Sequence, residues 1–212
     1  MKRVRRHWKA MGVAVVTGLL LAAVAGSLTA QGSQRSKEIH FTMVRSAGAV
    51  KAGCLLNASA DVQDTSLGAV EKLRVKVKGL PPNTDFDLFV IQVPNAPFGL
   101  SWYQGDIETN ASGRGTGTFV GRFSVETFIV APGSAPAPVV HHQPPFPDAN
   151  SNPATAPVHT FHLGLWFNSP ADAAKAGCGN TVTPFNGEHN AGAQALSTRN
   201  FPNDDGPLRQ LH

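Results

Sequence analysis

Hydrophobic and polar residues alternate along most of the chain. Leu73, Val75 and Val77 are interleaved with Lys72, Arg74, Lys76 and Lys78, the period of a strand with one buried and one wet face. The same reading predicts strands over residues 39–43, 69–79, 85–93, 99–107, 115–123 and 125–130, with Phe86, Leu88 and Val90 sharing a face in the third. Residues 158–168 carry the strongest strand signal. Gly-, Pro- and Asn-rich breaks separate these runs, so the pattern predicts an all-β, antiparallel sandwich rather than a parallel α/β sheet. One short helix is expected after it: Ser169 as N-cap, Pro170 in the first turn, Asp172 favouring the positive end of the helix dipole, and Gly177 as the stop. The tail, 180–212, has room for one or two strands.

Two stretches break the pattern. Residues 131–158 hold Pro132, Pro136, Pro138, Pro144, Pro145, Pro147, Pro153 and Pro157; prolines lack the ladder donor, so this is a long insertion and not a central strand. At the other end, a basic segment, an uncharged apolar run over 10–26 and small residues form the three-part plan of a secretory signal. Cleavage is expected after Ala23-Val24-Ala25, making 1–25 the signal, with a later site near residue 30 as the alternative. Residues 26–38 then read as a linker, and 39–212 as a single domain. A retained apolar segment would be the chain's only link to a membrane.

The leader changes the meaning of the charge. The formal net charge is +4, but Lys2, Arg3, Arg5, Arg6 and Lys9 are five of the 18 basic residues. Without them 13 remain against 14 acidic residues, all downstream, so the basic balance offers no argument for nucleic-acid binding. Export also sets the redox compartment. Cys54 and Cys178 are the only cysteines, and outside the cytosol they are expected to form one disulfide.

The segment Gly79-Leu80-Pro81-Pro82-Asn83-Thr84-Asp85-Phe86-Asp87-Leu88-Phe89-Val90 resembles the corner leading into a late strand of fibronectin type III domains. Phe86 stands where that family carries a tyrosine, so the hydroxyl bond of a tyrosine corner cannot form. The resemblance implies an immunoglobulin/fibronectin-like sandwich in which the chain crosses between sheets at this corner. The basic row Lys72, Arg74, Lys76 and Lys78 would then part from Asp85 and Asp87. More broadly, residues 79–206 are similar to uncharacterised exported bacterial proteins; neither resemblance implies an activity.

Signatures of catalysis are absent: there is no G-x-S-x-G, H-E-x-x-H or P-loop. Asp106, Glu108, Asn110 and Ser112 alternate oxygen ligands, but without the glycine and the twelfth-position Glu of a calcium loop. His162, Gly164 and Trp166 share the outward face of one strand, where an aromatic beside a glycine makes a shelf for a ligand. Trp102 and Tyr103 are expected to add a second shelf. Packing of Trp166 beneath the 131–158 insertion is the bland alternative. His159 and His162, three apart in a strand, face opposite ways, so a site could take only one of them unless the strand is bulged. A metal site would have to draw His162, His189, Glu188, His141 and His142 together, a donor set suited to Zn or Cu.

The leading expectation is therefore an exported, non-enzymatic module that binds an extracellular ligand, such as a carbohydrate, or a cell-surface component. A metal-dependent secreted enzyme built on the His/Glu cluster is the alternative, and a structural envelope protein the third reading.

Overall fold

The alternating runs become strands that wrap a common core in a computed structural model. The described residues are 37–125, 127–130, 156–184 and 189–211. They all belong to the second of two units, Met1–Gln34 and Arg35–His212. The expected signal and most of the linker lie outside the described residues, as do 131–155, His141, His142 and Glu188.

In chain order the elements are β1 (Glu38–Arg45), α1 (Ala47–Ala52), β2 (Ser59–Ser66), β3 (Glu71–Lys78), β4 (Asp85–Ile91), β5 (Ser101–Glu108) and β6 (Gly115–Gly121). They continue with β7 (Thr127–Val130), β8 (Ala156–His159), β9 (His162–Phe167), α2 (Pro170–Lys175), β10 (Thr183–Pro184), β11 (Asn190–Ala191), β12 (Gln194–Ser197) and a 3-10 turn, Pro207–Leu211. Eight strands form an antiparallel ladder in the order β5-β4-β9-β12-β1-β2-β3-β6. Residues 38–43 of β1 pair with β2, whereas Val44 and Arg45 pair with β12. The ladder folds at that strand into two layers, the all-β sandwich expected from the pattern. β5 and β6 stand at opposite ends of the ladder, yet only residues 109–114 separate them in the chain. Asn110 sets that turn: its Oδ1 accepts from the backbone N–H of Ser112 and Arg114 at 2.9 and 3.2 Å.

Leu73, Val75 and Val77 of β3 face Phe86, Leu88 and Val90 of β4 and Leu163, Leu165 and Phe167 of β9 across the interior, all of them buried. β3 pairs with β2 and β6, while β4 pairs with β5 and β9. The chain therefore crosses between layers at 79–84, as the corner implied. Leu80 and Phe86 are both buried, and Thr109 Oγ1 pins the bend by donating to Pro81 O at 2.6 Å and accepting from Thr84 N at 2.9 Å. Lys78 pairs with Asp61 at 3.3 Å rather than with Asp85 or Asp87.

Several expectations need correction. The run at 158–168 is not one strand: β8 pairs with β7 in a separate ribbon, and β9 starts anew at His162 between β4 and β12. The run at 125–130 supplies β7 of that ribbon and takes no place in the sandwich. Among the described residues there are two six-residue helices, not one. In α2, Ser169 Oγ accepts from Asp172 N at 3.1 Å and Pro170 opens the helix. In α1, Ser46 Oγ accepts from Ala49 N at 3.0 Å. Each helix ends in Lys-Ala-Gly-Cys, and each Cys N–H bonds back to the carbonyl of Ala49 or Ala173. Cys54 and Cys178 then join as a disulfide with a Cα–Cα distance of 5.4 Å.

Candidate functional site

The site grows from the outward face of β5, β4, β9 and β12. Register places Phe89 opposite Tyr103 on one side and Gly164 on the other, Asp87 opposite Asp106 and Trp166, and Gln194 opposite Trp166. Gly164 is required here. A Cβ at that position would overlap the Trp166 ring and come within 2.8 Å of Gln194 Nε2. The indole thus lies in the space that the glycine leaves, and the expected open shelf is filled by the tryptophan itself.

Two outer segments fold over this ring. The loop between β4 and β5 is clasped at its neck by Gln92, whose backbone N–H bonds to Leu100 O at 2.8 Å and whose Oε1 accepts from Leu100 N at 3.1 Å. This loop brings Phe98 edge-on to Trp166, with centroids 4.9 Å apart and planes at 82°. Phe89 meets the indole similarly from within the sheet, at 5.3 Å and 73°. The β10–β11 pair supplies Thr183, Pro184 and Ala191 on the other side. Trp166 is left 4% exposed, and beside it opens a cavity of about 380 Å³ walled by Phe89, Pro97, Phe98 and Pro184. The cover over Trp166 comes from these residues; the 131–158 insertion, expected in that role, lies almost wholly outside the described residues.

The other site candidates are dispersed. Trp102 points inward and stacks on Phe123, planes 9° apart, so it shares no face with Tyr103. Tyr103 stays on the outer face, 42% exposed, edge-on to Phe89 and donating to Asp106 Oδ1 at 2.5 Å. Burial, followed by that bond to Asp106, pushes its phenol well above the ordinary range. His162 is buried, Nδ1 at 2.8 Å from Thr198 Oγ1 and Nε2 at 3.3 Å from Asn203 O. Both ring nitrogens are engaged in tying β9 to the segment that follows β12. His159 stacks on Phe161; burial, then the Arg209 charge, lowers its pKa. His189 lies near Asp85, whose pKa is raised by burial and then by the Asp106 charge. Among the described residues no three His, Cys, Asp or Glu side chains gather as a metal-holding group.

Sequence reasoning missed the acidic face next to the cavity. Asp85 opposes Glu108 and Asp87 opposes Asp106 across β4 and β5, two like-charge pairs in direct cross-strand positions, where repulsion is greatest. Asp87 is fully buried, and no donor among the described residues reaches either carboxyl oxygen. Burial, then the Asp106 charge, raises its pKa to about 7. Protonated, it can donate to Asp106. The register was the missing signal, because Asp85/Asp87 and Asp106/Glu108 reveal their opposition only once β4 and β5 are paired.

Among the described residues no helix is long and apolar enough to cross a membrane. The sequence matches no protein-family model and no curated protein.

Proposed function

We propose that this chain is an exported binding module that takes a small, neutral, apolar group in the cleft beside Trp166. The observation that carries the reading is the cavity itself, concave, aromatic-walled and set on a sheet face that would otherwise be open to water. Its size falls at the lower end of the range for small-molecule sites, and such sites are mostly apolar with few polar groups. Among the described residues Ser101 and Thr183 contribute the only side-chain hydroxyls of the wall, and that of Thr183 already donates to Gly192 O at 2.8 Å. The leader-like N-terminus and the disulfide support an extracytoplasmic setting, with the ligand outside the cell.

A binding role is favoured over a His/Glu metal centre because both nitrogens of His162 are already occupied. It is favoured over sugar stacking because the nearly buried Trp166 ring offers no flat exposed face. The test is a titration of the purified protein with benzyl alcohol, followed by amide NMR. Saturable shifts are expected at Phe89, Phe98, Ser101 and Trp166, with at least about tenfold weaker binding in Trp166→Ala, the loss of one large apolar contact. Absence of saturable shifts at these amides would remove the reading.

A further inference from the structure

The Trp166 cavity has a neighbour of different chemistry. A second space, of about 520 Å³, opens between α1, the β4–β5 loop and the segment after Cys178. Phe98, Trp166 and Thr183 line both spaces, so the two adjoin across these side chains. Among the described residues the second is lined by no Asp or Glu; its polar side chains are Lys51, Asn95, Thr181, Thr183 and Gln194.

Two of these lack partners among the described residues. Gln194 is 9% exposed, and its Nε2 is buried without a hydrogen-bond partner among the described residues, a costly state for a donor. Lys51 makes no ion pair among the described residues. The contrast with the second helix gives that fact weight. In α2, Lys175 pairs with Asp172, three residues earlier, at 3.4 Å. In α1 the residue three before Lys51 is Gly48, and its ammonium is left to the mouth of the cleft.

We propose that the cleft binds an amphipathic monoanion: an aromatic or branched apolar body in the Trp166 compartment and a carboxylate between the Lys51 ammonium and the Gln194 amide. This rests on the apolar cleft proposed above and adds the anionic end. An ammonium and a buried amide N–H can both donate to a carboxylate's oxygens, and hydrogen bonds to an ionised acceptor exceed neutral ones in strength. The apolar body fixes the position from which the carboxylate reaches them. Binding energy then comes from both ends of one small molecule.

The experiment compares 4-phenylbutyrate with its neutral analogue 4-phenylbutanamide by calorimetry on the purified, disulfide-bonded protein at pH 7. The carboxylate is expected to bind about tenfold more tightly, with the preference shrinking as salt is added. In Lys51→Met the preference should collapse while the amide binds unchanged. Lys51 is exposed on the helix surface, so the variant should fold, and its far-UV spectrum and benzyl alcohol affinity check that it has. Equal affinity of the two probes in the native protein, or a preference that survives in Lys51→Met, would overturn the anionic end and leave the apolar cleft standing. Failure of benzyl alcohol to bind removes the apolar cleft, and this proposal with it.

Discussion

A carboxyl group with no donor in reach is hard to ionise; among the described residues Asp87 has none, and another carboxyl lies opposite it. Its pKa, about 7 against an ordinary 3.8, means that the folded protein holds this proton more tightly than the unfolded chain does. Stability from that proton is complete below the ordinary carboxylate pKa and is lost as pH rises through about 7. Asp64 works in the same direction: burial, then the charge of Glu71, raises it to about 7. Denaturation midpoints should therefore fall between pH 5 and pH 8. Asp87→Asn keeps a neutral donor towards Asp106, so its midpoint should fall less and the variant should be more stable at pH 8 by about 1–2 kcal/mol. An unchanged slope in urea denaturation across this pH range would place the effect elsewhere. Asp64 also explains why β2 escaped the hydrophobic pattern. It occupies the third inward position after Ala60 and Val62, where an apolar residue would have completed the alternation.

At the scale of elements, the corner between β3 and β4 depends on Gly79. It has φ +69°, and a Cβ there would overlap the carbonyl oxygen of Asn57. Gly79→Ala is expected to cost about 2–3 kcal/mol, read as a lower thermal midpoint with the fold retained. This corner, the inward faces of β3, β4 and β9, and the capping of α2 were all legible in the residues, because each is written locally in period, proline, glycine and cap. The first helix carries the same signs, Ser46 ahead of it and Lys51-Ala52-Gly53-Cys54 behind it. It was missed because Gly48 weakens the helical signal and no proline or aspartate marks its start. Trp166 and its partner Gly164 could be picked from strand period alone. Phe98, Pro97 and Lys51 could not, since they come to the cleft from a loop and from a helix more than a hundred positions away from Trp166 in the chain. Fold here follows from local pattern, whereas the cleft follows from contacts that only the folded ladder creates.

Across the whole molecule, the disulfide ties the loop after α1 to the segment after α2 over a sequence separation of 124. Closing so long a loop restricts the unfolded chain, with a worth on the order of 4–5 kcal/mol in the chain-entropy account. The double variant Cys54→Ala/Cys178→Ala should lose up to about that much in guanidinium denaturation while keeping the sandwich. Loss of less than about 1 kcal/mol would mean that the unfolded chain is already restricted by other means. Cys178 also lines the larger compartment of the cleft, so the variant should loosen that wall before it loosens the sheet. The bond has a topological consequence too. β2 to β9, the crossover corner and the proline-rich insertion all lie within the covalent ring that it closes. Hydrolysis of a single peptide bond anywhere in that ring opens the circle without releasing a fragment, and the cut protein keeps both ends of its cleft on one covalent molecule. The first proteolytic cut within that ring is therefore a change of connectivity and not a loss of parts.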